Sequence, residues 1–534
     1  MSADVVFVNG PVFTAAPERP YVRAVAVTGG VISAVGFDRD VGDWIGPRTE
    51  VVDLRGRSLL PGFQDAHVHP VHGGLRRMRC DLEPAGGAVE ALSTVAAHAE
   101  QAGEGWILGG GWHYEWFGGG SPSALELDRV TGARPAYLVV TDGHSAWANS
   151  RALELAGVAA STPDPPDGRI ERLAGGRPQG TLHEGAMELV ERVLPPDDPE
   201  LTVQALLAGQ EHLLSCGITA WQDAWVDAEI HEAYRAVAAD GRLVGRAAGA
   251  LFWERDESMV QLERLERMRG EGFGRYRPGT VKLMLDGVCE NFTAAMKEPY
   301  LTSSGDPGRG MLFIDPDELP TIVVDLDRRG FQCHFHAIGD EAVSFALSAA
   351  EQARLDNGWT DGRHHIAHIQ VVDPPDVARF ARWGVVANAQ PLWACNEPAM
   401  TELTIPVLGD PRSRHQYPFG SLLRSGATLA MGSDWPVSSA DVLAQLAVAV
   451  TRLPPDGAAA EVFLPDERLP LVAALTAFTA GSAYVNHLDH VSGTIAGGKA
   501  ADLVVLSGDV LESGAIGGTR VDMTMAAGAV VYER

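Results

Sequence analysis

The chain has 534 residues, of which 42 are Lys or Arg and 70 are Asp or Glu, so its formal net charge is −28. This charge disfavours nucleic-acid binding, because phosphate contacts depend on clustered Lys and Arg side chains. A length above about 250 to 300 residues exceeds what one hydrophobic core usually serves, so we expect a large catalytic domain and a smaller one. A hydrophobic fraction of 46% with 21% charged residues is typical of a globular protein.

Short β-branched runs at both ends of the chain predict a small β domain. Two of the N-terminal runs are joined by Gly29-Gly30, which is a hairpin signal. The C-terminal runs would be only marginally stable as an isolated pair. We therefore predict that residues 1–57 and 485–534 form one composite β domain. The runs are residues 4–8, 24–28, 31–35, 501–506 and 527–532.

Eight further apolar runs alternate with helical patterns along residues 58–484. Such alternation predicts βαβ units and a parallel sheet, and eight of them favour an α/β fold of the (β/α)8 TIM-barrel type, with its chemistry at the C-terminal ends of the strands. The interval of about residues 72–210 between the first two strands is too long for a loop, so we predict an insertion over the barrel mouth. The runs are residues 59–70, 217–223, 246–252, 279–287, 330–340, 364–370, 384–391 and 427–436.

No stretch reaches the roughly 18 uninterrupted apolar residues of a membrane span, and the N-terminal segment lacks the pattern of a signal peptide. We expect no membrane contact and a cytoplasmic location. Five scattered cysteines without a Cys-x-x-Cys pair argue against a disulfide framework. A homodimer is our hypothesis for the oligomeric state.

His67 and His69 lie two residues apart at the end of the first barrel strand, so both side chains point to the same face. Two imidazoles that point into a barrel are suited to a metal ion. The alternative is a pair of core histidines that are satisfied by hydrogen bonds.

Lys282 lies in an apolar strand pattern that would place its amine in the interior, where lysine is rare. A neutral lysine amine can take up carbon dioxide to form a carbamate, an anionic ligand able to bridge two cations. The alternatives are a salt bridge with Asp286 and a side chain that reaches solvent.

Further histidines and an aspartate end the later strands. Neutral imidazole is the commonest ligand of divalent transition metals. Asp434 follows an apolar run, and taken alone it is better explained as a cap of a helix N-terminus. The histidines are His334 and His336 at the fifth run, and His364, His365 and His368 at the sixth. Periodicity alone does not choose among them.

The ordered set of His67, His69, Lys282, His336, His368 and Asp434 resembles the metal centre of the amidohydrolase superfamily. Four longer segments resemble the YtcJ-like branch of this superfamily (amidohydrolase family 3). The chain is also similar to N-substituted formamide deformylase, which falls in the same branch. These segments are Leu60–His69, His336–Asp340, Gly432–Pro436 and Gly497–Leu503.

The resemblance implies that His67 and His69 hold one metal and that His336 and His368 hold a second, with carboxylated Lys282 between them. Asp434 would be both a ligand and the base. The implied cofactor is one or two divalent ions, most simply Zn²⁺. A metal-activated hydroxide would then cleave a C–N bond, amide or formamide-like, in a small apolar or aromatic substrate.

Two other readings of the sequence stay open. The same metal barrel supports deamination, opening of cyclic amides and ester hydrolysis, because function resides in loops carried by the fold. A non-catalytic scaffold is the second alternative.

Four side chains are candidates for substrate binding. His144, in the insertion, matches a YtcJ-like motif and could bond the substrate carbonyl, or it could order its own turn. Trp112, Trp393 and Trp435 could form the wall of an apolar pocket, although aromatic side chains are equally common in cores.

Overall fold

The computed structural model describes residues 2–101, 103, 105–118, 121–302, 308–455, 457, 461–511 and 516–534. Its largest sheet has eight parallel strands whose order in space follows their order in the chain. Each predicted run overlaps one of them, so the predicted fold class is confirmed. The first to eighth barrel strands are Phe63–Val68, Ile218–Val226, Arg246–Phe252, Tyr276–Met284, Gln332–Ala337, His365–His368, Val386–Ala389 and Leu429–Met431.

The first and eighth strands close the sheet through backbone hydrogen bonds just beyond the short eighth strand. The Asp434 amide donates to the His67 carbonyl (2.7 Å), and the His69 amide donates to the Trp435 carbonyl (2.8 Å). Gly432 permits this approach, because a Cβ there would lie 2.5 Å from the His67 nitrogen. The closure therefore brings two predicted ligands, His67 and Asp434, side by side.

Helices connect the barrel strands and cover the outside of the sheet. Three of them have proline as their first residue, where the missing N–H has no intrahelical partner to lose. The helix Asp340–Asn357 shows the usual pattern, burying Val343, Ala346 and Leu347 against the barrel. The helices of this group are Pro70–Met78, Pro199–Ser215, Ala228–Ala239, Leu262–Gly270, Leu319–Arg328, Asp340–Asn357, Pro374–Trp383, Phe419–Arg424, Val442–Thr451, Leu471–Thr476 and Ser482–Val485.

Both chain ends contribute to a small β region of two sheets, which share a core of aliphatic side chains. The predicted hairpin forms with Ala24–Thr28 antiparallel to Val31–Gly36. In spatial order, the four-stranded sheet is Val31–Gly36, Ala24–Thr28, Val5–Val8 and Glu50–Asp53, and the six-stranded sheet is Ala529–Glu533, Val521–Ala526, Leu503–Leu506, Leu59–Pro61, Val12–Phe13 and Tyr21–Val22.

One predicted boundary inside this region is wrong. We assigned residues 59–70 to a single barrel strand, but Leu59–Pro61 pairs with Leu503–Leu506 in the end sheet, and the barrel strand begins at Phe63. Proline at position 61 has no N–H to donate. Gly62 instead donates its amide to Asp502 of the C-terminal segment (2.8 Å).

The insertion forms its own six-stranded sheet between the first two barrel strands. Its loops face the C-terminal ends of the barrel strands across a shared cavity, so it overhangs the barrel mouth. The residue limits given above for the β domain, the barrel and the insertion stay predictions. In spatial order its strands are Gly168–Arg172, Pro178–Glu184, Ser145–Ala148, Ala136–Val140, Ile107–Trp112 and Cys80–Asp81, and its helices are Ala88–Gln101, Ala124–Thr131, Ser150–Leu155 and Glu188–Glu191.

Within the described ranges, no helix combines the length and the apolar character that crossing a membrane requires.

Candidate metal centre

The six predicted ligands lie together at the C-terminal ends of the barrel strands and line a cavity of about 660 Å³. All except His69 are at least 97% buried. Each comes from a strand end: His67 and His69 from the first, Lys282 from the fourth, His336 from the fifth, His368 from the sixth and Asp434 from the eighth.

Asp434 is the centre of the group. Its Oδ1 atom lies 3.2 Å from His67 Nε2 and 3.2 Å from His69 Nε2, and its Oδ2 atom lies 3.8 Å from His368 Nδ1. Single donor atoms of His67, His368 and Asp434 all fall within 4.8 Å of one another. This is a compact set of two nitrogens and one carboxylate oxygen.

His336 and His368 form the other half of the group, with ring centroids 4.4 Å apart. The Nδ1 atom of His336 and both ring nitrogens of His368 are buried without a hydrogen-bond partner among the described residues. Leaving a buried polar atom unpaired costs about 1–3 kcal/mol. His336 Nδ1 lies 3.4 Å from Asp286 Oδ1, which is near enough for an ion pair but is not a hydrogen bond. A neutral imidazole offers one lone-pair nitrogen, so each ring is suited to one bond to a metal ion.

The backbone at two of these positions adopts the left-handed region that residues other than glycine rarely occupy. His368 has φ +75° and Asp434 has φ +57°. Such conformations cost of order 1–3 kcal/mol, and they persist where the surroundings over-determine them, often at active sites. Helix capping, the alternative for Asp434, falls instead to Asp441, which caps Val442–Thr451.

Burial and neighbouring charge favour the protonation states in which these side chains bind a metal ion. Burial, assisted by the charge of Lys282, lowers the pKa of His67 to about 3. Burial opposes ionisation of Asp434, but His67 and His69 hold the pKa of its carboxyl well below the usual range. Burial also lowers the pKa values of His336 and His368 far below normal. Neutral imidazoles around a carboxylate fit a divalent metal ion.

Lys282 is 1% exposed, so it does not reach solvent. Burial lowers the pKa of its amine to about 7, while Asp434 and Asp223 act in the opposite direction. A salt bridge between Lys282 and Asp286 was the alternative. The Asp286 carboxylate instead accepts hydrogen bonds from the backbone amides of Ala295, Ile338 and Gly339. In this environment a substantial fraction of the Lys282 side chains carries a neutral amine at neutral pH.

The histidines that periodicity could not separate occupy different places. His334 and His365 lie one layer deeper in the barrel and bond other side chains there. His364 faces Asp327, with its Nε2 atom 3.0 Å from Oδ1. Of the two histidines at the fifth strand and the three at the sixth, His336 and His368 are the ones that line the cavity.

His144 reaches the same cavity from the insertion, and its ring centroid lies 5.2 Å from that of His336. Its Nδ1 atom lies 3.0 Å from Glu184 Oε2. Burial opposes protonation, but this carboxylate raises the pKa of His144 to about 9. Glu184 is itself held by the side chains of Asn291 and Thr293.

The three predicted tryptophans have different environments. Trp393 lines the cavity and stacks on His368, with ring centroids 5.6 Å apart at 8°. Trp112 is fully buried in the core of the insertion, where its indole N–H donates to the Leu138 carbonyl (2.9 Å). Trp435 is 6% exposed and packs against His212 and Arg77. We therefore withdraw the substrate-binding assignment of Trp112 and Trp435.

The sequence analysis missed the aromatic wall on the other side of the cavity. Trp225 and Phe252 both line the cavity and stack on each other, with centroids 3.8 Å apart. We ended the second strand at Asp223, whereas it continues to Val226. The pairing register shifts between Asp223 and Val226, so period-two alternation from Gln222, which faces the barrel interior, would not have placed Trp225 on the cavity.

Residues 50–532 match the Amidohydrolase family. The chain belongs to this family. This match confirms the resemblance to amidohydrolases that the sequence showed. The protein is therefore a hydrolase.

Three relatives cover most of this amidohydrolase. It is 33% identical over 520 residues to Protein LONG AFTER FAR-RED 3 of Arabidopsis thaliana (95% of this chain, 87% of that protein). It is 29% identical to putative amidohydrolase YtcJ of Bacillus subtilis (98% and 99%) and 27% identical to N-substituted formamide deformylase of Arthrobacter pascens (99% and 98%). The predicted similarity to the YtcJ-like branch is thereby confirmed.

A solved structure shows the same fold. The crystal structure of an uncharacterized metal-dependent hydrolase from Pyrococcus horikoshii matches with a TM-score of 0.73 at 24% identity, over 95% of this chain and 97% of that one.

Proposed function

We propose that this amidohydrolase is a metal-dependent enzyme that hydrolyses a C–N bond, amide or formamide-like, of a small apolar or aromatic molecule. The observation that carries the proposal is the approach of two imidazole nitrogens to one carboxylate oxygen of Asp434, both at 3.2 Å, in a buried site. Two imidazole nitrogens and a carboxylate oxygen that converge in a buried site form a donor set that suits a divalent ion.

In the proposed centre, His67 and His69 would hold one divalent ion, and His336 and His368 would hold a second. Lys282, if carboxylated on its amine, would supply the anionic oxygens shared by the two, and Zn²⁺ is the ion we propose. A bound divalent ion supplies Lewis-acid polarisation of a carbonyl and lowers the pKa of water toward about 7. The low pKa of the Lys282 amine supports carboxylation, because only the neutral amine reacts with carbon dioxide.

Asp434 is the proposed base. Its carboxylate is ionised and points into the cavity, so it can accept a proton from the attacking water. The same oxygen can then pass the proton to the leaving nitrogen, which keeps that nitrogen from departing as an anion. A positioned acid or base of this kind contributes typically 10²–10⁴-fold in rate.

His144 is the proposed partner of the substrate carbonyl. Glu184 on Nδ1 keeps the ring protonated, so the remaining N–H is free to donate toward the cavity. A donor aimed at an oxygen on which negative charge develops stabilises the transition state more than the ground state.

The aromatic part of the cavity wall supports an apolar or aromatic group on the substrate, although charged side chains such as Arg76, Glu254 and Arg255 also line the cavity. Trp225, Phe252 and Trp393 line it together with aliphatic and methionine side chains. Small-molecule sites are mostly apolar with a few polar groups that fix orientation. The similarity to N-substituted formamide deformylase, at 27% identity, favours formamides as the first substrates to test.

The test is a substrate panel on protein loaded with zinc in the presence of bicarbonate. We expect turnover of N-substituted formamides or N-acyl compounds above that of lactams, esters and aminated heterocycles. Preference for a heterocyclic amine, a lactam or an ester would favour the deaminase, cyclic amidase or esterase alternative. A protein that binds metal and turns over none of them would support the scaffold alternative. A homodimer and a cytoplasmic location stay predictions.

A further inference from the structure

A row of fully buried side chains lies directly beneath the proposed ligands. His334, Gln222, His365 and Asn388 are all 0% exposed, and they come from four different barrel strands. His67 Nδ1 lies 2.8 Å from His334 Nε2, and His334 Nδ1 lies 2.7 Å from Gln222 Oε1. We call this set the histidine relay. It joins the proposed ligand His67 to the side chains deeper in the barrel.

One end of the relay is fixed by a backbone carbonyl. Asn388 donates from Nδ2 to the carbonyl of Ala66 (2.8 Å), and its Oδ1 atom accepts from Gln390 (3.1 Å). The amide nitrogen therefore also faces His365 Nδ1, at 3.1 Å. Because an amide NH₂ group can only donate, His365 must accept at Nδ1 and carry its proton on Nε2.

The middle of the relay is fixed by a second amide. Gln332 donates from Nε2 to the carbonyls of Arg363 and Val485, both at 2.8 Å, so its oxygen faces Gln222. Gln222 donates from Nε2 to that oxygen (3.1 Å) and to Asn486 Oδ1 (3.4 Å). The Oε1 atom of Gln222 is therefore an acceptor only.

Both neighbouring histidines must donate to this one oxygen. His365 donates from Nε2 (3.0 Å) and His334 donates from Nδ1 (2.7 Å). His334 is 0% exposed, and a second ring proton would place a cation in a site removed from water, so we take it as the neutral imidazole with its one proton on Nδ1. His334 Nε2 is then an acceptor, and the proton between His334 and His67 belongs to His67 Nδ1.

We propose that His334 and Gln222 are positioning residues, which hold the proton of His67 on Nδ1 and present its Nε2 lone pair to the metal. The identity of the proton-bearing nitrogen in a histidine is set by the bond that the other nitrogen makes. The inference rests on the proposed function, because it treats His67 as a ligand. Removing such a partner of a ligand histidine typically costs 10–100-fold in metal affinity.

Two substitutions at one position separate this role from general packing. In His334→Gln, the side-chain oxygen can occupy the place of Nε2 and accept from His67. In His334→Asn, the shorter side chain reaches only the place of Nδ1, so His67 loses its acceptor. His364→Asn is the matched control, because His364 is also a fully buried barrel histidine but bonds Asp327 outside the relay.

The first readout uses metal-free protein and does not depend on activity. Histidine ring nitrogens are labelled with ¹⁵N, and the His67 signals are assigned by their loss in His67→Gln. We expect the wild type, His334→Gln and His364→Asn to show a protonated Nδ1 and an unprotonated Nε2, whereas His334→Asn shows a mixture. A protonated Nε2 on His67 in the wild type would overturn the inference.

The second readout is the zinc dissociation constant, measured by competition with a chelator. We expect it to rise about 10–100-fold in His334→Asn, and to stay within about threefold of wild type in His334→Gln and His364→Asn. Equal losses in both His334 variants, or no loss in either, would overturn the positioning role. A wild type that binds no zinc but shows the Nδ1 proton would contradict the proposed function and leave the proton assignment standing.

Discussion

His67 Nε2 and Asp434 Oδ1 face each other at 3.2 Å across the closure of the barrel, where the backbone amide of Asp434 also donates to the carbonyl of His67. The same strand contact therefore closes the fold and assembles the site. The imidazole nitrogen and the carboxylate oxygen are both ligand atoms that a divalent ion accepts, and both face the place of the proposed ion.

Asp434→Asn should lower kcat by about 10²–10⁴-fold, because the amide cannot accept the proton of the attacking water. Zinc content should stay near that of the wild type, since the histidines and Lys282 remain. The measurement is kcat on the best substrate of the panel, with zinc per chain determined on the same sample. Glu254→Gln, which changes another carboxylate of the cavity lining, is the control. Unchanged kcat in Asp434→Asn would remove Asp434 from the role of base.

His144→Gln should lower kcat by about 10²–10³-fold through loss of a donor to the developing oxyanion, with little change in metal content. Glu184→Gln should lower kcat less, because His144 keeps its position through a neutral hydrogen bond but loses its protonated form. Steady-state kinetics of both variants and of the double variant measure the coupling. Additive losses in kcat would show that Glu184 does not act through His144.

Trp225→Ala and Trp112→Ala separate the cavity wall from the core of the insertion. Trp225→Ala should lower kcat/KM by about tenfold or more through lost apolar contact with the substrate, with a small loss of stability. Trp112→Ala should lower the free energy of unfolding by about 3–5 kcal/mol, because it empties a fully buried site. Kinetics and chemical denaturation of both variants are the measurements. The reverse pattern would restore Trp112 to the substrate site.

Asp327 should make stability depend on pH. Burial opposes its ionisation, but bonds from His364, Thr360 and Asn357 lower the pKa of its carboxyl to about 2, below the ordinary 3.8. A depressed folded-state pKa stabilises the protein fully above the unfolded value, and this stabilisation is lost as the pH falls from about 4 toward 2. The stability difference between wild type and Asp327→Asn should therefore be full at pH 6 and smaller at pH 3, measured by urea unfolding. A difference independent of pH would contradict this.

The sequence predicted the eight barrel strands because each is a short apolar run whose end carries a polar or histidine-bearing turn. It also placed six ligand positions that meet in one cavity. That convergence follows from the barrel itself, which brings the C-terminal ends of all its strands to one face. The choice of His336 over His334 depended on the family resemblance, since both side chains point inward and only depth in the barrel separates them.

Other features could not be predicted, because they depend on contacts between distant segments. Glu184 lies 40 residues from His144, and only the pairing of two strands of the insertion brings them together. Trp112 and Trp393 are the same residue type, so the sequence does not separate them. Tertiary packing places Trp112 in the core of the insertion and Trp393 on the cavity wall. Leu59–Pro61 continues the apolar pattern of the first barrel strand, yet it pairs with a strand more than 440 residues later.

The most direct test of the proposed centre is the metal content per chain, determined by elemental mass spectrometry on protein produced with zinc and bicarbonate. Two zinc ions per chain are expected, falling to about one in Lys282→Gln, where no carbamate can bridge. One ion in both proteins would keep the metal-dependent hydrolase but remove the bridging role of Lys282. No bound metal in the wild type, even after reconstitution, would contradict the account.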